Sequence, residues 1–441
     1  MLSQQDAKNL ADRVFGYSKL PGCEVNIQWT EDNFIRFANN GITTSGYRIT
    51  QQISITSTTT DKRSGNAAVS ELTDEALKNG VRLAEQLAAI SRPDPENMPA
   101  LPTQQYPVLH NFDTFTASAR GEAMIPHVKA VIASAMEHKL TSSGYIQRSA
   151  NAVAVSNKAG LFGYHAYTDS GMSHTMRNAE GTSSGWASQS SVSLKDLNGE
   201  ESARISSEKC IRGVNRKKLE PGKYTVILES AAVGDIVGWL GFAFDARDAE
   251  QGQSFLSKKG GGTRLGEKMF PEYITLRSDA FHPKFASTPW DESLLPNERI
   301  SGIEKGVVSN LVYDRFWASK AKIKPTPTPA NLVLEGQENS DEDLVRSVDR
   351  GLLITRLHYI RILQPQTWQL TGLSRDGVFL VENGRVTDPV TNFRWNESPA
   401  EVLQRATKLG RPVRVTSGTG SQIVPALITT DFNFASISDA V

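Results

Sequence analysis

The chain has 441 residues, of which 22% are charged and 39% hydrophobic; this is globular composition in a chain too long for one ordinary core, so two domains are expected. Lys plus Arg and Asp plus Glu both number 48, and a formal net charge of zero lacks the basic excess that drives phosphate binding by dedicated nucleic-acid binders. Two cysteines, Cys23 and Cys210, are too few for a disulfide scaffold and too widely spaced for a Cys-rich zinc module, so a reduced, cytoplasmic setting is the expectation.

The polar opening MLSQQDAKNL has no apolar signal-peptide core. The longest apolar stretch, Ile236 to Phe244, is too short to cross a bilayer. Ser3 to Lys19 reads as an amphipathic helix, with a capping-box start at Ser3 and Asp6 and an apolar face of Leu10, Val14 and Phe15. Strands are expected at Glu24–Trp29, Phe34–Ala38 and Tyr47–Ser57, with an Asn39-Asn40-Gly41 turn before the last. Thr73–Ile90 repeats the helical spacing through Leu77, Val81, Ala84 and Leu87.

Residues 92–107 hold five prolines and read as an extended connector. A helix over Ala117–Leu140, with Pro126 near its middle, comes next. Alternating strands follow over Gly144–Ser156, Gly160–Asp169, His174–Asn178 and Gly185–Ser193, with a turn at Gly171. These elements predict an α+β first domain over residues 1–215, with an antiparallel or mixed sheet, and a β-rich second domain with a few helices over residues 216–441.

In the second half Tyr224–Leu228 is an apolar strand and Ala231–Asp245 a compact helix, apolar almost all round and small at Gly234, Gly238 and Gly241. It reads as a buried helix packed on a sheet, or as a buttress for a partner or a substrate channel. Glu304-Lys305-Gly306 joins two apolar runs, and Asp376-Gly377 and Asn383-Gly384 bracket Val378–Val381 with hairpin-turn residues. Ser340 caps a helix ending at Gly351, and Ser398-Pro399-Ala400-Glu401 is a capping box for a helix closed by Gly410.

Local motifs offer little chemistry. Gly261 to Lys268 nearly matches a phosphate loop, but Glu267 stands where lysine must reach the phosphates. Gly181-Thr-Ser-Ser-Gly185 matches a nucleophile elbow, yet a strand-like run follows where a helix is required. None of the seven histidines is followed by Glu, so there is no HExxH or HExxxH motif. His127 and His138 are about 16 Å apart on a helix and cannot share a metal. His165 and His174 could approach across the Gly171 turn; with Asp169 they are the one candidate for an autonomous hydrolytic site. Asp245, Asp248 and Glu250 read as a solvated helix end, paired with Arg247, Lys258 or Lys259.

The order of several segments resembles the TldD/PmbA family. These are Tyr224–Leu228 with its following helix, Gln251-Gly252-Gln253-Ser254-Phe255-Leu256, Ile300–Asp314, Arg350–Thr355, and above all Leu370-Thr-Gly372-Leu-Ser-Arg375-Asp376-Gly377-Val378. Arg36–Asn40 and Asp431–Phe434 fit as well. The resemblance implies a peptidase system of two homologous chains, long labelled a modulator of DNA gyrase. In it a TldD-type chain binds zinc through an HExxxH helix and a late cysteine, and a PmbA/TldE-type chain without these ligands pairs with it. The pair acts on small unfolded substrates such as a microcin precursor and an antitoxin. The ligand helix corresponds here to Ala231–Asp245, which has no histidine, and no cysteine follows Cys210. The expectation is a non-catalytic TldE-like subunit with no cofactor of its own, zinc only in a TldD-type partner, and neither membrane nor nucleic acid as a ligand. A homodimeric peptide-binding protein is the alternative. Gln251, Gly252, Ser254, Phe255, Gly372, Arg375, Asp376 and Gly377 mark the family without an assigned role, and no residue is assigned to catalysis.

Overall fold

The computed structural model describes residues 1–329 and 331–438. The first half is a six-stranded antiparallel sheet. Its strands are β1 (Gly22–Ala38), β2 (Gly41–Thr58), β3 (Ser64–Val69), β4 (Thr141–Asn157), β5 (Phe162–Arg177) and β6 (Ser184–Ser191), in the order β3-β2-β1-β4-β5-β6. Helices α1 (Gln4–Tyr17), α2 (Asp74–Ile90), α3 (Thr114–Ser118), α4 (Ile125–Glu137) and α5 (Gly199–Arg212) accompany it. The capping box at Ser3 and Asp6 forms as the sequence predicts. The β1–β2 turn puts Asn39 and Asn40 at φ 51° and 58°, the left-handed pair a tight hairpin requires. Apolar faces of α1 and α2 close one core on Val25, Ile27, Ile53 and Ile55; α4 and α5 close another on Ile35, Phe37, Ile146 and Met176.

The second half holds two more sheets. Its strands are β7 (Gly222–Leu228), β8 (Leu276–Ser278), β9 (Ile300–Glu304), β10 (Val307–Val308), β11 (Leu332–Leu334), β12 (Arg350–Gln364), β13 (Gln369–Glu382), β14 (Arg385–Pro389), β15 (Asn392–Glu397), β16 (Ala406–Leu409), β17 (Val413–Ser417), β18 (Gly420–Val424) and β19 (Leu427–Ser438). One sheet runs β10-β9-β8-β11-β18-β17 and the other β12-β7-β19-β15-β13-β14. Their helices are α6 (Ser230–Val237), α7 (Ala246–Glu250), α8 (Arg315–Ala321), α9 (Asp341–Arg346) and α10 (Pro399–Gln404). The largest core, including Ile236, Leu240, Leu352, Trp395 and Phe432, lies here. The expected α+β fold in two domains is the one observed.

Several local expectations are corrected. The helix expected over Ala117–Leu140 breaks into α3, a 3-10 turn and α4, because Pro126 sits in the first turn of α4, where its missing N–H costs nothing. There is no turn at Gly171: β5 runs straight through it, opposite Gln147 and Ser190. The apolar helix at Ala231–Asp245 ends at Val237, becomes 3-10 to Phe242, and Asp245 then caps α7 through its Oδ1 and the Asp248 N–H, 2.8 Å. Asp376-Gly377 is not a hairpin turn but a bulge inside β13. Opposite it on β12 the register slips between Ile354 and Arg356, and the φ values of 57° and 137° suit a bulge as well as a turn. The helix capped by Ser340 ends at Arg346, not at Gly351, which lies in β12. Ser398 holds the N-cap position of α10, with Pro399 in its first turn as expected, but forms no capping box: its hydroxyl donates to the Thr367 carbonyl, and α10 ends at Gln404.

Candidate functional site

The two halves meet along the open edges of two sheets. β6 ends the first sheet and β17 ends one of the others, so each has one side of its backbone unpaired with a strand. Between them opens a cleft of about 680 Å³, lined by β6 from Trp186 to Ser191, by β17 from Val413 to Val415, and by the start of α6. The edges touch at one end, where the Thr416 hydroxyl donates to Ser190 Oγ at 3.1 Å. Gly234 and Gly238 let the β17–β18 hairpin lie against α6: a Cβ on Gly234 would fall 2.4 Å from Val415 Cγ2, and one on Gly238 2.0 Å from Thr419 Oγ1. The small residues of this helix thus shape one wall of the cleft.

Charges in the cleft are mostly in pairs. Lys209 Nζ and Glu229 Oε2 are 2.5 Å apart. Arg414, with a side chain only 4% exposed, donates from Nη2 to Asp169 Oδ1 at 2.7 Å. Burial pushes the Asp169 carboxyl up and Arg414 draws it back. Asp341 is also pushed up, first by burial and then by the negative charge of Glu229. Behind the cleft Asp235, the single charged residue of α6, accepts from the Leu357 N–H at 3.0 Å; enclosure raises its carboxyl to about 7 against the pull of Arg356.

The family-signature residues fall in two places. Gln251 and Gly252 end α7, Gly252 at φ 79°. The Ser254 hydroxyl donates to the Ala243 carbonyl at 3.2 Å, and Phe255 packs edge-on against Phe244. This group folds the chain back into the core. Gly372 makes room for Trp395, whose Cζ2 would sit 2.6 Å from an added Cβ. Arg375, Asp376 and Gly377 stand at the junction of the halves. There the Ser184 hydroxyl donates to Asp376 Oδ1 at 2.8 Å, and Arg356 and Arg375 flank the other carboxylate oxygen at 3.6 and 3.7 Å. Arg356 also stacks 4.3 Å over Trp186, at the mouth of the cleft.

The hydrolytic candidate built on His165, Asp169 and His174 does not assemble. His165 and His174 are nine residues apart on one straight strand, which puts them on opposite faces. His165 Nε2 meets Asn111 Oδ1 at 2.9 Å, and His174 Nε2 meets Ser206 Oγ at 2.9 Å. Burial lowers both imidazoles to about 4, so both are neutral and structural. Ser183 of the elbow-like run donates to the Cys210 carbonyl, and Glu267 of the phosphate-loop lookalike pairs with Lys258. Arg247 pairs with Glu96 and not with its acidic neighbours, while Glu250 accepts from Tyr313 and Trp317.

The donors here do not fit zinc. Asp196, Glu229 and Asp341 lie at the cleft, but Asp196 accepts from the Ser191 hydroxyl, Glu229 is held by Lys209, and neither cysteine lies there: Cys210 Sγ faces the Ser183 carbonyl. Among the described residues no group of three His, Cys, Asp or Glu is placed to hold a metal ion. Sequence reasoning missed Arg414 and Asp235; the one legible signal was a lone carboxylate in an otherwise apolar helix.

Two domain profiles match this chain: the PmbA/TldA metallopeptidase C-terminal domain over residues 221–436, and PmbA/TldA metallopeptidase domain 1 over residues 23–88. Metalloprotease PmbA of Escherichia coli O157:H7 is 24% identical over 222 residues, 48% of this chain and 46% of that protein. A metalloprotease of Archaeoglobus fulgidus is 25% identical over 227 residues, 48% of this chain and 52% of that one. The chain thus spans about half the length of the curated relatives it matches. TldE from Thermococcus kodakarensis shares the fold with a TM-score of 0.86 at 20% identity, over 97% of this chain and 99% of that one. A Bacteroides thetaiotaomicron protein named as a candidate modulator of DNA gyrase does so with a TM-score of 0.82 at 19% identity, over 99% and 100%. With both profiles matched in order across well over half its length, this chain belongs to the PmbA/TldD metallopeptidase family.

Proposed function

We propose that this chain is the non-catalytic, peptide-receiving subunit of a TldD/TldE-type metalloprotease, and that a TldD-type homologue supplies the zinc. The observation that carries this reading is the cleft at the junction of the halves. Two open sheet edges border it, and the start of α6 faces it with Ser230 and Ala231. Unpaired edge backbone binds an extended chain by adding a strand, whatever its sequence, and side-chain pockets add selectivity. The eight residues of β6 offer about 26 Å of edge, at ~3.3 Å per residue. That suits a short unfolded peptide. Hydrolysis by a zinc site needs three protein ligands and an open water position, so the catalytic step falls to the partner. The cytoplasm is the proposed setting, and small unfolded proteins and peptide precursors are the proposed substrates. Among the described residues, no helix is long and apolar enough to cross a membrane.

The test is reconstitution. The chain alone is expected to bind no stoichiometric zinc and cleave no peptide, and the pair with a TldD-type chain to do both. Ala231→Trp, which fills the cleft, is expected to lower cleavage by the pair at least tenfold with zinc retained. Chelator-sensitive cleavage by the lone chain would overturn the reading. Failure to capture any TldD-type chain from the host would favour a homodimeric peptide-binding protein.

A further inference from the structure

The cleft wall holds polar groups that the fold leaves without partners. Arg414 Nη2 is engaged by Asp169 and Ser421, but Nε and Nη1 have no acceptor, and the residue lines the cleft. A buried donor left unmade costs about 1–3 kcal/mol, more when charged. A fold that keeps two on one guanidinium is therefore shaped for an acceptor it does not itself contain. Lys284 lines the cleft and has no ion-pair partner among the described residues. It precedes Phe285, which packs on Ile423, and Ile423 is the register partner of Arg414. Lys284 and Arg414 are matched in number by the carboxylates of Asp169 and Asp196, the latter accepting from the Ser191 hydroxyl at 2.6 Å, so what this wall lacks is hydrogen-bond acceptors for Arg414. At Lys209 and Glu229 the charges cancel, and Asp341 adds a negative one.

We propose that the Arg414 wall recognises a carboxylate of the extended peptide, either its C-terminus or an Asp or Glu side chain, and so fixes the direction in which the peptide lies along β6. This rests on the reading of the cleft as a peptide site. Guanidinium binds carboxylate with strong, charge-assisted hydrogen bonds, and enclosure spares them competition from water. β17 is paired on one side only, so its other edge is open to the ligand. Asp169 holds the guanidinium in place beforehand, which lowers the ordering cost of binding.

The experiment measures affinity of the full chain for three N-terminally labelled heptapeptides of Ser, Thr and Val: one with a free C-terminus, one amidated, and one amidated with a single internal Glu. A carboxylate peptide is expected to bind about tenfold tighter or more than the neutral one, and the ranking of the first and third identifies which carboxylate is read. Asp169→Asn/Arg414→Met, which removes the pair together, is expected to abolish the preference. Lys284→Gln, an exposed change that spares folding, is expected to reduce the preference severalfold. Equal affinities in the unaltered protein, or a preference surviving both variants, would overturn this inference and leave the peptide cleft standing. Binding of no peptide at all would overturn both.

Discussion

Asp235 shows how one residue can carry a pH signature. Its carboxyl is enclosed by α6 and β12 and raised to about 7, while in the unfolded chain it titrates near ~3.9. Between these values the unfolded state has lost the proton and the folded state keeps it, so its contribution to stability falls as pH rises from about 4 to about 7 and is flat above. The slope is at most ~1.4 kcal/mol per pH unit. Asp235→Asn keeps an acceptor for the Leu357 N–H and removes the titration. The variant is expected to match the parent in urea unfolding at pH 4 and to exceed it at pH 7.5; equal stabilities at both would show the carboxyl to be solvated. His165 and His174 act in the opposite sense. Their folded values of about 4 lie below the usual imidazole, so their contribution is complete above ~6.5 and is lost as pH falls toward 4.

At the scale of elements, the close approach of α6 to the β17–β18 hairpin sets the cleft wall. A methyl on Gly238 would meet both Thr419 Oγ1 and Gln422 Nε2 within 2.8 Å. Gly238→Ala is expected to cost about 1–2 kcal/mol, because overpacking outweighs the gain in helix propensity. Gly418, at the hairpin tip with nothing within 4 Å of a built Cβ, is the control, and Gly418→Ala is expected to be neutral within about 0.5 kcal/mol. Equal melting temperatures for the two variants would mean the hairpin does not press on the helix. The run of small residues in this helix was legible in the sequence. Which element presses on it was not, since the hairpin lies nearly two hundred residues away in the chain.

Across the whole molecule, the halves are joined by specific polar contacts. Asn111 Nδ2 donates to the carbonyls of Phe285 and Ser287, the Tyr106 hydroxyl to the Leu294 carbonyl, and Ser184 to Asp376. The proline-rich connector supplies Tyr106, which packs against Trp290 with ring centroids 4.9 Å apart, so it works as a strap between the halves. Asp376 is the best single probe of the junction. Its removal leaves Ser184 and two arginines without their shared acceptor, and Asp376→Ala is expected to cost about 3 kcal/mol. Calorimetry is expected to show one transition in the parent and earlier loss of coupling between halves in the variant. An unchanged single transition would place the coupling in the apolar and connector contacts instead.

The helices α1 and α2, the Asn39-Asn40 turn and the α+β class could all be read from the chain. Each depends on local rules: side-chain periodicity, capping chemistry or positive φ at Asn. Tertiary structure alone decided that Asp376-Gly377 is a bulge, because left-handed backbone suits bulge and turn alike and the choice depends on pairing with β12. It alone separated His165 from His174, since a glycine permits a turn but strand pairing on both sides of Gly171 keeps β5 straight. It also made Arg414 part of a cleft wall. A surface arginine and a buried one with idle donors look the same in sequence; only the meeting of two sheet edges, far apart in the chain, tells them apart.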